Sequence, residues 1–311
     1  MSVPSAFPHS HAPADANERA EALGWVLGPG HSSTSIEQLD ALLQTRGCPS
    51  DGIRISRGPT GDPVACVVVP GPGHVGALLL SPLPGPGSAA AAAHAAADAV
   101  AACRWDQIRL IQALLDPADT LRKASLEQAG LQSLAVLHTM ERALPRRKAT
   151  KPDLGSIRLE PCLLGDAHHV AQLMVGTYAD TLDCPGLCGL RDPMDTLHGH
   201  LAAGTPIPEL WCIVHVDERE AGVLFVADQQ NVCDLVYVGL FPFARGRGIG
   251  RLLMQTLVHQ LDAKQRNRIR LSVDQSNTPA LALYASLGFN TLSRSLALIA
   301  TVAPMQVPPM N

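Results

Sequence analysis

The sequence predicts a mixed α/β protein with two similar domains, each a central mixed β-sheet flanked by helices. In the second half, apolar runs of strand length alternate with helix-patterned runs, and a meander of strands precedes a glycine-rich turn. The chain of 311 residues is long enough for two ordinary domains. Two runs of the first half also echo runs of the second half in order and interval, which indicates a duplicated fold.

The elements of the second half follow from hydrophobic patterning. Strand patterns lie at 157–162, 211–216, 222–227, 234–240, 269–273 and 292–300. Helix patterns lie at 166–178, 193–203, 252–261 and 281–287. The last helix has clear start and stop signals. Asn277 suits its N-cap, Pro279 suits its first turn, and Gly288 suits a left-handed residue at its C-terminal end.

The stretch from Arg245 to Arg251 is a glycine-rich turn between the strand at 234–240 and the helix at 252–261. Its three glycines let the backbone come close to a ligand, so that several N–H groups can point at one anion. The N-terminus of the helix adds about half a positive charge, and arginines add whole charges. The sequence therefore predicts a diphosphate site.

The spacing within this turn narrows the choice of diphosphate. A Walker loop requires Gly-Lys-Ser/Thr, but Gly250 is followed by Arg251 and Leu252. The dinucleotide fingerprint Gly-x-Gly-x-x-Gly also fails, because its third glycine would fall on Arg251 or Leu253. The remaining pattern, Arg-x-x-Gly-x-Gly, resembles the coenzyme A pyrophosphate loop of the GNAT N-acetyltransferases.

A second resemblance to the same family lies downstream. The strand at 269–273 is followed by Asn277, Ala280 and Tyr284, and then by Leu-Gly-Phe at 287–289. Asn277 and Tyr284 are seven residues apart, which places them on one helix face, roughly 10 Å apart along the axis. The resemblance implies that Asn277 touches the pantetheine arm and that Tyr284 protonates the departing thiolate. A half-buried core tyrosine with a hydrated hydroxyl is the structural alternative.

The resemblance also implies how acetyl-CoA would be held. Backbone N–H groups of the splayed strand before the turn would bind the thioester carbonyl as an oxyanion hole. The cofactor-binding residues implied in this way are Val238, Gly239, Leu240, Arg245, Gly246, Arg247, Gly248, Ile249, Gly250, Arg251, Asn277 and Tyr284.

The general base is less well defined. Asp234 begins the strand that leads to the turn, roughly where many relatives place a carboxylate, and a water could relay between it and the amine. Asp234 could equally be a solvated residue at the end of a strand. Asp183 and Glu209 are weaker candidates.

The first half repeats part of the pattern of the second half but lacks the residues of the predicted cofactor site. Its run 108–110 repeats 269–271, but at the place of the turn it has 83–88, with two prolines that lack N–H groups and no arginine. No tyrosine precedes Tyr178. We expect a degenerate, supporting GNAT-like copy, with an unrelated α/β domain as the alternative. The predicted ranges are a disordered 1–20, the degenerate domain 21–144, a linker 145–155, the catalytic domain 156–302 and a flexible tail 303–311.

Composition and charge exclude several classes of function. The net charge of -4 and the pI near 6.3 argue against nucleic acid and anionic lipid as partners. The start of the chain lacks the pattern of a signal peptide, and the apolar run 89–102 is too short to span a bilayer and is expected to be a helix. Eight cysteines without framework spacing fit reduced thiols, which predicts a cytoplasmic location.

A metal site is not expected. Cys184, Cys188, His198 and His200 could be combined into one, but the cysteines are separated by three residues and the histidines by one. The common zinc spacing has two residues between cysteines and three to five between histidines.

Together these observations predict an acetyl-CoA-dependent N-acetyltransferase that acts on a primary amine of a small molecule, by direct attack in a ternary complex. An acyltransferase of protein amines and a non-catalytic acyl-CoA-binding or interaction protein are the alternatives. The sequence leaves association into a homo-oligomer open.

Overall fold

The computed structural model describes residues 10–13, 15–49, 52–144, 152–162, 165–229 and 232–302. The chain forms two compact units: Met1–Leu134 with Leu296–Asn311, and Ala135–Ser295. The predicted flexible tail at 303–311, most of the predicted linker and residues 1–9 lie outside the described residues.

The first unit contains four helices around a mixed sheet. In chain order the elements are α1 (Ala16–Leu27), α2 (Ser33–Thr45), β1 (Ile53–Arg57), β2 (Pro63–Pro70), β3 (Val75–Leu80), α3 (Ala89–Ala101), β4 (Leu110–Leu115) and α4 (Thr120–Gln128). β1, β2 and β3 pair antiparallel, and β3 pairs parallel with β4. Leu23 and Leu43 of the first two helices pack on Ile53 and Ile55 of β1 in a buried cluster. α1 begins inside the range predicted to be disordered because Asp15 caps it.

The second unit has the same kind of layered build with more strands. Its elements are β5 (Gln132–Ala143, in this unit from Ala135), β6 (Ile157–Pro161), α5 (Ala167–Gly176), α6 (Pro193–Leu201), β7 (Thr205–Pro206), β8 (Cys212–Val216), β9 (Arg219–Gln229), β10 (Val232–Leu240), α7 (Ile249–Ala263), β11 (Arg268–Asp274), α8 (Thr278–Ser286) and β12 (Asn290–Thr301, in this unit up to Ser295). The strands follow the order β6, β8, β9, β10, β11, β5; in this run of described strands β10 and β11 pair parallel and the other neighbours pair antiparallel. The predicted mixed α/β class is confirmed.

Two strands make the units differ from the predicted domain ranges. β5 lies before the predicted boundary at 144, yet its residues from Leu137 pair antiparallel with β11 in the second unit. The end of β12, from Leu296 to Thr301, pairs antiparallel with β4 in the first unit. Each unit is therefore closed by a strand from the far side of the predicted boundary.

Apolar side chains of α7 anchor the second unit. Leu253, Met254, Leu257 and Leu261 are buried in one cluster with the inner faces of β10 and β11. Their spacing of three and four residues is the helical period on which the helix at 252–261 was predicted. The opposite face of the sheet packs against α5 and α6, where stacked Trp211 and Phe225 rings lie 4.3 Å apart. These two layers fix the ends of the strands that carry the candidate site. No described helix is long and apolar enough to cross a membrane.

Candidate active site

A cavity of about 660 Å³ opens in the second unit where β10 and β11 separate. β10 stays paired with β9 as far as Leu240, but its parallel pairing with β11 covers only Val232–Asp234. The gap beyond Asp234 is walled by the turn before α7, by α8 and by the segment 177–183. The predicted site residues that line it are Val238, Gly239, Leu240, Arg245, Gly246, Gly248, Ile249, Gly250, Arg251, Asn277 and Tyr284, whereas Arg247 and Asp234 do not.

The glycine-rich turn presents a row of unused donors. Gly246 and Gly248 have φ angles of 71° and 78°, which suit glycine because a Cβ disfavours the left-handed region. Gly248 is the N-cap of α7, and no side chain caps this helix. Across the described chain, the backbone N–H groups of residues 246–250 have no hydrogen-bond acceptor. Buried or ligand-facing N–H groups are normally paired, so this row at a helix N-terminus is suited to an anion.

The arginines of the turn are bonded to the protein. Arg245 donates to the carbonyls of Leu240, Asp180 and Thr177 at 2.9, 3.0 and 2.7 Å. Arg247 pairs with Asp217 at 3.1 Å, outside the cavity wall, and Arg251 donates to the Ser286 hydroxyl at 2.8 Å. Arg245 therefore holds the end of β10 against the segment after α5, and the donors left for an anion are mainly backbone groups.

The end of β10 directs further N–H groups toward the gap. The Phe241 N–H donates to the Ala221 carbonyl at 2.8 Å, so this pair belongs to the hydrogen-bonded set of the β9–β10 ladder. Because that set alternates along an antiparallel ladder, the N–H groups of Val238 and Leu240 point away from β9. That is the side from which β11 has separated.

The helix α8 brings its two predicted residues to the same cavity. Asn277 is its N-cap, and its side-chain oxygen accepts from the Ala280 N–H at 3.3 Å. Tyr284 is 7% exposed, and its ring lies 5.7 Å from that of Phe289. Its hydroxyl has no hydrogen-bond partner among the described residues, and burial, assisted by the charge of Asp183, raises the pKa of Tyr284. The phenol is therefore kept protonated.

The comparisons with known proteins agree with this geometry. Residues 183–289, which hold the turn, β11 and α8, match the model of the acetyltransferase (GNAT) family. The matched stretch lies within the second unit, so this unit is similar to the GNAT acetyltransferases. The crystal structure of a GCN5-related N-acetyltransferase from Sphaerobacter thermophilus shares the fold, with a TM-score of 0.57 and 18% identity over 97% of this chain and 98% of that one.

Curated relatives match part of the chain. A mycothiol acetyltransferase from Nocardioides sp. is 29% identical over 164 residues, which are 48% of this chain and 54% of the relative. The [ribosomal protein bS18]-alanine N-acetyltransferase of Salmonella typhimurium is 34% identical over 74 residues, which are 24% of this chain and 50% of that protein. The chain thus spans about half the length of these two relatives.

The three carboxylates considered as the base occupy different places in the second unit. Asp183 lines the cavity. Asp234 lies opposite Arg270 at the last paired position of β10 and β11, and its Oδ1 is buried without a hydrogen-bond partner among the described residues. Burial raises the pKa of Asp234, and the Arg270 charge opposes that shift. Glu209 pairs with Lys264 outside the cavity wall, which lowers the pKa of Glu209.

An aromatic group lies beside the cavity on the side of α5 and α6. The Thr177 hydroxyl donates to the Met174 carbonyl at 2.6 Å, so the Tyr237 hydroxyl, also 2.6 Å away, donates to Thr177. His200 stacks on Tyr237 with ring centroids 5.2 Å apart. Burial, with the Arg191 charge as a second cause, lowers the pKa of His200 to about 4. Within the described ranges no group of three or more His, Cys, Asp and Glu side chains could hold a metal ion.

Sequence reasoning missed Asp274, the buried carboxylate at the end of β11. It bonds to the segment that carries Asp183, 91 residues earlier in the chain. The available signal was an acidic residue that directly ends an apolar strand three residues before the Asn277 cap. A carboxylate that is buried at the end of a strand rarely lacks a partner.

Proposed function

We propose that the second unit binds acetyl-CoA in this cavity and transfers the acetyl group to a primary amine of a small molecule, by direct attack in a ternary complex. The observation that carries the proposal is the row of acceptor-free N–H groups at residues 246–250, four of which belong to residues that line the same cavity as the protonated Tyr284. A diphosphate at one end and a reacting thioester at the other are the two demands that acetyl-CoA makes.

The residues at the gap between β10 and β11 would perform the transfer. The N–H groups of Val238 and Leu240 would stabilise the oxyanion that forms when the amine attacks the thioester carbonyl. Asn277 would contact the pantetheine arm from the start of α8. Tyr284 would give its proton to sulfur as the C–S bond breaks, since a phenol with a raised pKa holds its proton until a thiolate develops beside it.

We place the amine acceptor at the end of the cavity formed by the segment 177–183, and call this the acceptor end. Its charges favour a cation. Asp180 and Asp183 line it, while the guanidinium of Arg245, which also lines the cavity, is occupied by three carbonyls. An amine that is protonated at neutral pH would be attracted to this end. The relatives named mycothiol acetyltransferase support a small-molecule acceptor for this chain. The relative that acetylates an alanine of a ribosomal protein favours a protein amine as the second candidate.

We also propose that the first unit is a supporting, GNAT-like copy that binds no coenzyme A. Its β3 separates from β4 after Ala77 as β10 separates from β11, and α3 follows as α7 does. The turn before α3 lacks the donors for a diphosphate, because Pro84 and Pro86 have no N–H and the Ser88 N–H is taken by the Gly85 carbonyl. The eight cysteines are free thiols, which supports the cytoplasmic location predicted from the sequence.

Calorimetry of the full chain with coenzyme A, followed by an assay of acetyl-CoA consumption, tests the proposal. We expect one binding site per chain. Glucosamine, spermidine and a tetrapeptide with an N-terminal alanine should then be offered as acceptors, with mass spectrometry to detect the acetylated product. Binding without acetylation of any amine would favour the non-catalytic alternative, and two equal sites would contradict the role given to the first unit. Preference for the peptide would select the protein-directed candidate.

A further inference from the structure

Two aspartates from distant parts of the second unit are linked through backbone N–H groups, at the end of the cavity formed by the segment 177–183. The Asp274 N–H donates to Oδ1 of Asp183 at 2.8 Å, and the Cys184 N–H donates to Oδ2 of Asp274 at 3.0 Å. The other oxygen of Asp274 accepts from the N–H and hydroxyl of Ser276 at 2.8 and 2.7 Å. Asp274 is 3% exposed, so these bonds fix its position. We call Asp183, Cys184, Asp274 and Ser276 the carboxylate clasp.

The clasp leaves one oxygen of Asp183 available. Oδ1 is used by the Asp274 N–H, whereas Oδ2 has no hydrogen-bond partner among the described residues, and Asp183 lines the cavity together with Tyr284. A carboxylate with one oxygen anchored and the other directed at a ligand site is the arrangement that a proton acceptor needs. Asp234, by contrast, is not among the residues that line the cavity.

The charges around Asp183 suit the same role. Asp183 keeps part of its surface exposed, and desolvation by the surrounding residues is the largest cause that raises its pKa; the Asp274 N–H opposes this shift and the Asp274 charge adds to it. The charge of Asp183 also contributes to the raised pKa values of Cys184, Tyr237 and Tyr284, for each of which burial is the largest cause. A more basic carboxylate accepts a proton from an ammonium group more readily.

We propose that Asp183 is the group that takes the proton from the acceptor's ammonium, and that Asp274 is the positioning residue that holds it in place. The inference rests on the proposed acetyl transfer and adds a base that the pattern at Asp234 did not indicate. Asp183 touches the reacting amine, whereas Asp274 acts only through the clasp.

The proton balance of the transfer closes with these groups. The ammonium loses one proton to Oδ2 of Asp183, which later releases it to solvent. The neutral amine forms the N–C bond to the thioester carbonyl, and the C–S bond then breaks with its electron pair on sulfur. Tyr284 gives its proton to that sulfur. The second proton lost by the nitrogen restores the Tyr284 hydroxyl. One acetyl group is thereby transferred, and no atom changes its oxidation state.

Turnover as a function of pH separates Asp183 from Asp234. With saturating acetyl-CoA and the best amine of the panel above, Asp183→Asn should lower kcat about a hundredfold to ten-thousandfold and remove the acid limb of the kcat profile. Its affinity for coenzyme A, measured by calorimetry, should stay within about twofold of the wild type, which also shows that the variant is folded. A loss of this size in Asp234→Asn, with wild-type kcat in Asp183→Asn, would overturn the proposal.

The role of Asp274 has a readout that does not depend on activity. In full-length protein with ¹³C-labelled aspartate carboxyl groups, the Asp183 resonance is identified by its absence from Asp183→Asn and is titrated by NMR. Asp274→Asn should move its midpoint to lower pH, because a negative charge beside it is lost. Ser276→Ala keeps that charge and should leave the midpoint in place.

The outcomes keep the two proposals apart. An unchanged Asp183 midpoint in Asp274→Asn, or an equal shift in Ser276→Ala, would refute the positioning role even if acetyl transfer is demonstrated. If no amine is acetylated although the Asp274→Asn shift is observed, the clasp stands and the proposed acetyl transfer fails, and Asp183 is then not its base.

Discussion

The starts of α3 and α7 look alike in outline and differ in chemistry. Each helix follows a strand that loses its parallel partner early, and neither helix has a side-chain cap. Before α7, residues 246–250 keep five N–H groups free of acceptors within the described chain. Before α3, Pro84 and Pro86 have no N–H, and the N–H groups of Ser88 and Ala89 are taken by the carbonyls of Gly85 and Pro86.

The comparison shows that the backbone fold alone does not make the diphosphate site. The separated strands and the uncapped helix are present twice, but a row of donors is present once. The helices α4 and α8 differ in the same way, because the seventh residue is Tyr284 in α8 and the buried Leu126 in α4. The site depends on which groups the sequence places on a shared framework.

The largest expected effect concerns Tyr284, which α4 replaces with an apolar residue. Tyr284→Phe keeps the ring and its contact with Phe289 but removes the proton given to sulfur. Turnover should fall about a hundredfold to ten-thousandfold, because general acid catalysis has that typical size. Affinity for acetyl-CoA should hardly change, since the interaction is made as the bond breaks. Steady-state kinetics beside calorimetry measures both. Wild-type turnover in the Phe variant would make Tyr284 a packing residue, as Leu126 is.

The second effect is acid sensitivity in the second unit. His200 is stacked on Tyr237, and its pKa of about 4 lies below the value near 6.5 expected for an unfolded chain. The unfolded state therefore binds more protons as the pH falls from 6.5 to 4, and the folded state loses stability over that window. The loss should be about 1–3 kcal/mol, the lower figure applying if water reaches the edge of the ring.

Thermal unfolding of wild type and His200→Phe at pH 7 and pH 4.5 measures this contribution. The Phe variant keeps an aromatic stack but cannot be protonated, so its melting temperature should fall less on acidification. An equal fall in both proteins would show that His200 does not contribute to the acid sensitivity.

The third effect tests the donor row directly. Gly248 has φ of 78°, where a β-branched residue is strained, so Gly248→Val should displace the turn and its N–H groups. A strain of about 1–3 kcal/mol corresponds to a loss in coenzyme A affinity of roughly tenfold to a hundredfold. Gly85 is the matched position, because its φ of 175° suits any residue and its surroundings are open. Calorimetry should show no change for Gly85→Val; a comparable loss there would place a cofactor site in the first unit.

The smallest effect compares the caps of α8 and α4. Asn277 and Asp119 each accept a backbone N–H of the helix that follows. Replacing either with Ala should cost about 1 kcal/mol, which lowers the melting temperature by a few degrees. Only Asn277→Ala should also weaken coenzyme A binding, because only Asn277 lines the cavity. Scanning calorimetry with and without coenzyme A gives both numbers. Unaltered affinity in Asn277→Ala would reduce its role to that of a cap.

Local signals of the sequence predicted much of this framework. α6, α7 and β8 to β11 lie within a few residues of their predicted ranges, because capping residues and hydrophobic periods are written into neighbouring positions. The bonds of the turn arginines and the clasp between Asp183 and Asp274 were not predictable. Apart from the bond of Arg245 to the Leu240 carbonyl, they join residues 30 to 91 positions apart, which no local pattern relates. The assignments of Asp234 and of the turn residues to catalysis and binding remain predictions.

The exchange of closing strands ties the folding of the first unit to the order of synthesis. β4 pairs on one side with β3 and on the other with residues 296–301. On the ribosome, residues 296–301 emerge long after β4, so the apolar edge of β4 lacks its partner while the intervening chain is synthesised. Unpaired edges invite aggregation, and a chain cut near residue 150 would separate each unit from its closing strand. We therefore expect each half to be poorly folded when it is expressed without the closing strand that the other half supplies.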